Sequence, residues 1–545
     1  MKFNLYNIAI AGALIACTSC ESKLNDRHKD YDAFTETEIE YLFAHGTKKA
    51  IENDYADMYS HSFRFLSFIT QTTAAKEGKN RTNIYDVKND KSRWNNYYVD
   101  RMSALSELEK INGTLSVEVQ NEYRPYLEAT KILKAYNTAM ATDFFGSMPY
   151  TEAFTARNSL YGGEVIFKPQ YDTQKDIYYI VLEDLKNAAA YFKTAKLDDK
   201  IPVQVSFTSQ DIIYAGDMMK WYKFANSLLL RYAMRISNVD EAKAKEVLST
   251  LKLEDLITEN SDNAAVKVSG EAYAKNAMWR AMNESHNKNN GYYNFAPEFM
   301  TNILTEANDP RVAVLFQPAS DDEGVVIDST KVIVGYPASA DRAIELIKQD
   351  AETPGNDIQN TYAVYNATTF RKNFQLPIGV GITASEVYLF LAEAQHRGLV
   401  QMGTTEELYN KGVMMSVQYY YDYYFRSDAK IKNQDIMRTN VSDEALAAWL
   451  AESTFKFDPS KAIEMIATQK WLQTGMMQPF ETWSEYKRHD YPTLPDDTEN
   501  GVVLNKQNAP VRFIYPTTEA SMNTEHYNSV ADQNNKDSKV WWDVK

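Results

Sequence analysis

A helical period dominates the apolar and polar positions of this chain. In 121–144, Ala129, Ile132, Leu133, Tyr136, Ala139 and Met140 recur three and four residues apart, which places them on one stripe of a helix. Gly146 and Pro149 follow, a glycine just past the helix end and a proline soon after, so the helix stops there. Comparable stripes run through 173–193 (Ile177, Val181, Leu185, Ala188, Phe192), 217–236 (Trp221, Phe224, Ala225, Leu228, Tyr232) and 384–397 (Val387, Leu391, Ala394). Further helices are predicted near 404–425, 444–451 and 460–475. Short helices that are apolar on one face bury it only by stacking on neighbours. The pattern therefore predicts a mainly α, helical-repeat scaffold.

Three zones break the rhythm: 255–275, 283–296 and 317–380, rich in Asn, Gly, Asp and Pro. The last contains the β-like runs Val325-Val-Ile327 and Lys331-Val-Ile-Val334 and is too long for a simple connector. Irregular insertions on a regular scaffold are where binding residues concentrate, so about 255–380 is expected to face a ligand. The tail, 493–545, also reads mostly as loop and closes with Val540-Trp-Trp-Asp543. In Tyr419-Tyr-Tyr-Asp-Tyr-Tyr424 the side chains of a helix would point all around the cylinder, so core packing of part of the run is the reading.

The first residues have the layout of a bacterial export signal: Met1-Lys2, an apolar stretch Ile8–Ala16, then Cys17-Thr-Ser-Cys20. The apolar stretch is about half of the roughly 20 residues a membrane-spanning helix needs. Leu14-Ile15-Ala16-Cys17 fits the pattern of a lipoprotein processing site, and Cys20 is a second acceptor for the lipid. The signal is thus 1–19, or 1–16. The remaining 20–545 reads as a single domain, its helical scaffold mainly at 30–250 and 384–490. No cysteine follows position 20, so the folded part has neither a disulfide nor thiolate chemistry.

Charge and composition narrow the function. A net charge of −16 argues against nucleic acid and against docking on an anionic lipid face. The 37 tyrosines and 8 tryptophans supply flat apolar faces with a polar edge, which suit sugar rings and interior packing alike. The histidines, at 28, 45, 61, 286, 396, 489 and 526, form no HExxH or other metal-spaced pair, and there is no G-x-S-x-G elbow, Walker loop or dinucleotide fingerprint. With 74 acidic residues, any chosen carboxylate pair is uninformative. No catalytic residue, metal or cofactor is assigned, and binding rather than catalysis is the expectation.

A set of blocks carries a resemblance. In order they are Thr142-Asp-Phe-Phe-Gly-Ser-Met-Pro-Tyr150, the helix segment Gly216–Ile236, Asn308-Asp-Pro-Arg311, Ala384–Ala394, Leu408–Ser416, Ile466-Ala-Thr-Gln-Lys-Trp471, Glu481-Thr-Trp-Ser-Glu-Tyr-Lys-Arg488 and Val511-Arg-Phe-Ile-Tyr-Pro516. With the lipid signal, they resemble the SusD/RagB family of outer-membrane nutrient-binding lipoproteins of Bacteroidetes. The branch they most resemble is the SusD-like one, starch-binding proteins associating with the outer membrane. The resemblance implies a tetratricopeptide-like α-α superhelix with long irregular loops and minor β structure. It also implies a place at the cell surface, lipid-anchored in the outer membrane. There the protein would capture an oligosaccharide or other nutrient and hand it to a SusC-like, TonB-dependent barrel. The same role with a peptide ligand, a secreted glycoside hydrolase and a structural surface protein are the alternatives.

Most residues of these blocks are expected to serve the fold. Trp221, Phe224, Leu228 and Tyr232 share a helix face, and Asp217, Arg231, Arg235, Arg311, Lys470, Arg488 and Arg512 are expected to make buried or half-buried ion pairs that cap helices or fix loops. Ligand contact is sought instead at loop aromatics with neighbouring amides. Trp94, Asn95, Tyr97 and Tyr98 follow a polar stretch; near this position the resemblance implies an aromatic that stacks on ligand, with anchoring of the helix start as the other reading of Trp94. Trp279 with Tyr292, Tyr293 and Asn294 forms a second set, and Tyr362, Tyr365 and Phe370 a third.

Overall fold

The computed structural model describes residues 38–51, 55, 58, 65–74, 91–266, 277–286, 295–328, 330, 332–352, 360–431, 441–504 and 508–545. Its scaffold helices are α1 (Ile39–Ile51), α2 (Ser103–Gly113), α3 (Arg124–Phe145), α4 (Gln174–Phe192), α5 (Met218–Ile236), α6 (Ala384–His396), α7 (Thr405–Arg426), α8 (Ala462–Thr474) and α9 (Pro479–His489). Each packs mainly on its neighbours: α1 on α2 and α3, α3 on α4, α4 on α5, α5 on α6, and α6 on both α7 and α8, which carries α9. This is the stacked, helix-pair arrangement expected of amphipathic stripes that have no other apolar partner.

Local chemistry sets the helix limits. The Asp217 carboxylate accepts the Met219 and Lys220 N–H groups at the start of α5. Thr383 with Glu386, and Thr404 with Glu407, form reciprocal capping boxes on α6 and α7. Gly146 ends α3 at φ 70°, ψ −127°, where a Cβ is strained whatever the space around it. Gly146→Ala is therefore expected to cost about 1–3 kcal/mol. A lower urea midpoint would register it, and an unchanged midpoint would contradict the assignment.

Three antiparallel ribbons are present among the described residues. They pair β1 (Ala264–Val266) with β4 (Gly379–Ile382), β2 (Phe316–Gln317) with β3 (Val364–Tyr365), and β5 (Asp497–Glu499) with β6 (Val502–Leu504). The two β-like runs are not among them. Val326 makes one isolated bridge to Ser320, and Val332 and Val334 are exposed, so hydrophobic side chains there have no sheet to pack on. The zone around them is also less irregular than its composition suggests. Ala277–Ser285, Glu298–Glu306 and Ala340–Glu352 are helical, the last burying Ala343 and packing Leu346 and Ile347 against Phe295, Tyr336 and Val364.

The tail is a strap. Phe513, Tyr515, Val540 and Trp542 are buried in the main core, and the Trp542 indole donates to Asp143 Oδ1 of α3 at 2.6 Å. Phe144 at the end of α3 stacks on Trp483 of α9 (5.4 Å, 22°) and meets Phe513 edge-on (5.0 Å). Tyr419, Tyr420, Tyr421, Tyr423 and Tyr424 are all buried, so α7 is enclosed on nearly every side. Core packing accounts for more of that run than a surface helix would allow.

Five of the seven charges expected to form ion pairs do so; Asp217 instead caps α5 through backbone N–H groups, and Arg512 donates to the Phe145 and Phe513 carbonyls. Arg488 bonds Glu393 (2.5 Å) and Glu485 (2.7 Å), and Lys470 Nζ lies 2.7 Å from Glu393 and 2.6 Å from Glu485. All four groups are buried, which ties α6, α8 and α9 together. Arg235 pairs with Asp143, Glu481 and Glu485, and Arg231 with Glu386. Arg311 is held by Asp309, Ser416 and Gln469.

Candidate functional site

The sites named from sequence separate once folded. Trp94 lies in the short helix Lys91–Asn95, buried against Phe145 (5.0 Å, edge-on), Tyr98 (4.9 Å) and Tyr515 (5.8 Å). Tyr97 is buried too, its hydroxyl 2.9 Å from Thr138 Oγ1. Neither ring has a face left for a sugar, so anchoring of the helix start replaces ligand contact as the reading for both. Tyr98 and Asn95 are half-buried, and the Tyr98 hydroxyl donates to the Pro149 carbonyl at 2.6 Å. Trp279 is half-buried in Ala277–Ser285, tilted against Phe374 at 4.7 Å. Tyr365 and Phe370 are buried, and Tyr362 packs edge-on against Tyr336. Tyr292, Tyr293 and Asn294, like Cys17 and Cys20, lie outside the described residues.

A cleft that the sequence did not announce opens at the end of α9. At the end of α9, Asp490 adopts a left-handed conformation (φ 67°) and turns the chain back along the helix. Segment 493–496 thereby faces Ile69 and Gln71, and Gln71 Nε2 donates to the Pro495 carbonyl at 2.6 Å. Strap residues 509–511 and 537–545 close the other side. The enclosed volume is about 490 Å³, within the range of small-ligand sites.

Its depths are made by Trp483, Tyr486, Lys487 and Asp543, all buried, and its mouth by exposed Pro495, Asp496, Asp537, Lys539 and Lys545. Gln71 is 5% exposed, has φ 49°, and its Oε1 has no hydrogen-bond partner among the described residues. A buried, unsatisfied acceptor on a cavity wall is costly unless a ligand or water donates to it. Lys487 donates to the carbonyls of Val511 (2.9 Å) and Asp143 (3.3 Å) and lies 3.5 Å from the Trp483 ring centre. Burial draws its ammonium down to about 7, against the pull of Asp543 and Asp143. Burial and Asp496 push the Tyr486 phenol up, so it stays a neutral donor.

Metal binding has one arrangement to consider among the described residues, Glu393, Glu485 and His489. The Lys470 ammonium lies within 3.1 Å of all three and Arg488 bonds both carboxylates, so two cations already supply the charge an ion would bring. His489 is kept neutral by burial and by Arg488. The cluster reads as a structural ion network.

The cleft and the loops thus offer apolar walls, an aromatic edge and paired donors and acceptors, the makings of a binding site for a polyhydroxylated ligand. No helix among the described residues is long and apolar enough to cross a membrane. No curated protein matches the sequence. Solved structures share the fold: a chitin-binding protein (22% identity, TM-score 0.71, covering 93% of this chain and 100% of that one), a Bacteroidetes SusD-like protein (21%, 0.70, 93% and 100%) and a SusD homolog from Bacteroides uniformis (21%, 0.68, 93% and 99%). They place the helix-pair superhelix among SusD-like folds. A family model described as starch-binding and associating with the outer membrane matches residues 31–516, and the chain therefore belongs to this SusD-like family.

Proposed function

We propose that the protein is a cell-surface glycan-binding lipoprotein. It captures an oligosaccharide and delivers it to a SusC-like, TonB-dependent outer-membrane barrel. The lipid sits on Cys17 or Cys20, and chemistry on the ligand is left to other proteins. The observation that carries this reading is the cleft. Ile69, Leu494 and Pro495 offer apolar surface to the C–H face of a pyranose, while Gln71 Oε1, Tyr486 and the mouth carboxylates offer partners to its hydroxyls. Trp279, with Tyr292, Tyr293 and Asn294, is proposed as a second contact surface.

Calorimetry with soluble starch, chitin oligosaccharides, mannan and a set of peptides tests it. At least one glycan is expected to bind, and Tyr486→Ala and Gln71→Ala are each expected to weaken it by about tenfold, or ~1.4 kcal/mol. Thermal melts run alongside separate a lost contact from a lost fold. Binding of peptides alone would overturn the glycan reading and leave the transport role with a different cargo.

A further inference from the structure

The charges beneath the cleft do not balance locally. Lys487 is 6% exposed and Arg512 1%, yet neither makes an ion pair among the described residues. Lys487 gives two of its N–H groups to carbonyls, and Arg512 donates to the carbonyls of Phe145 and Phe513. Asp143, the nearest carboxylate of α3, is already engaged by Arg235, the Tyr178 hydroxyl and the Trp542 indole. Burial, Arg235 and Arg512 oppose a charge on Lys487, while Asp543 and Asp143 favour it. A buried ammonium with no carboxylate in direct contact is costly, and it is relieved by losing its proton or by gaining an anion.

We propose that the floor of the cleft is an oxyanion subsite centred on Lys487, which takes the carboxylate or sulfate of an acidic sugar unit. The inference rests on reading the cleft as a glycan site and names the class of glycan. Beyond those two carbonyls, Lys487 Nζ meets only the Trp483 and Trp542 rings, at 3.5 Å and 4.8 Å from their centres, so an incoming oxyanion would supply a charged acceptor in place of a weaker aromatic contact. The mouth carries Asp496 and Asp537 beside Lys539 and Lys545, and Asp490 lines the wall. The two signs offset each other at the mouth, so a small free anion gains little there. An anion borne on a sugar ring has the apolar walls to hold it there.

The subsite also couples occupancy to protonation. Without ligand the Lys487 amine is about half charged near neutrality; an oxyanion beside it raises its proton affinity, so an acidic glycan binds with proton uptake. Affinity for acidic glycans falls as pH rises through 7, while affinity for neutral glycans does not follow that slope.

Calorimetry at pH 6.5 and 8.5, in two buffers of different ionisation heat, tests this with three probes: a malto-oligosaccharide, an oligogalacturonate and a sulfated disaccharide. One or both acidic probes are expected to bind at least about tenfold more tightly at pH 6.5 than at 8.5, the two arms telling carboxylate from sulfate. Lys487→Met is expected to abolish acidic binding. Lys487→Arg, whose charge is fixed, is expected to keep that binding and flatten its pH dependence, a rescue that a purely structural role would not give. Binding of the neutral probe alone, lost in Tyr486→Ala, would overturn the subsite and leave the glycan site standing. Failure of every probe would overturn both. Acidic binding with the same slope in Lys487→Met would assign the anion to another group.

Discussion

Arg488→Met is expected to destabilise the protein by about 3–5 kcal/mol, the largest effect of any single charge removal in the scaffold. Arg488 is 1% exposed and bonds both Glu393 and Glu485. Without it, the two buried carboxylates share Lys470 and keep only longer contacts to other cations, Glu393 to Arg397 and Glu485 to Arg235, each at 3.4 Å. Urea unfolding measures the loss, and pairing the change with Glu393→Gln is expected to recover part of it, because the orphaned charge goes with it. The same network predicts acid lability. Cations around them hold Glu393 and Glu485 well below the usual carboxylate range, although burial alone would raise both. Their stabilisation is therefore full above the ordinary carboxylate value and is lost as pH falls through the lower folded values. His489 works in the same direction: its folded value is depressed, chiefly by burial, so protonation below its ordinary value of about 6.5 favours the unfolded chain. A variant within about 1 kcal/mol of the parent, or a pH profile flat down to the carboxylate range, would show that the network is not what joins α6, α8 and α9.

Trp542→Ala is expected to cost about 3–5 kcal/mol as well, by a different route. The indole is fully buried, donates to Asp143, and has Arg235 (5.2 Å) and Lys487 (4.8 Å) over its rings. Its loss leaves a cavity beneath the cleft and strips a donor from Asp143. Trp542→Phe keeps most of the packing and loses the hydrogen bond, so it is expected to cost about 1–3 kcal/mol. Denaturant midpoints of the two variants separate packing from hydrogen bonding. If both match the parent, the strap is an ornament on the fold rather than part of its core.

The scaffold was legible in the sequence because its signal is local. Stripes such as Ile177, Val181, Leu185 and Ala188 need only one helix to be read, and α4 begins and ends within a residue of the expected 173–193. Ala340–Glu352 was missed because its stripe sits between Pro- and Asn-rich flanks that dominate the composition of the zone. Trp94 and Tyr97 share a polar-flanked segment with exposed neighbours, and nothing local reveals that Phe145 and Tyr515 arrive from far along the chain to cover the tryptophan. The cleft was invisible for the same reason. Its walls come from 69–71, 483–496, 509–511 and 537–545, and the polar atoms at its floor acquire meaning only through burial. The available hint was the pairing of a Trp-Trp-Asp ending with a Trp483–Arg488 block that carries its charges inward.

The strap also fixes when the molecule can finish folding. The Trp542 indole and its Asp143 partner are 399 residues apart in the chain. At roughly 5–20 residues per second, synthesis separates them by on the order of 20–80 s. For most of that interval the end of α3 lacks Trp483 and Phe513, and to its end it lacks Trp542, the residues that cover it in the finished protein. A growing chain is thus held short of its native core until Trp542 is available. Trp542 and the residues around it act as a latch, and the core at the end of α3 closes only when that distant part of the chain arrives.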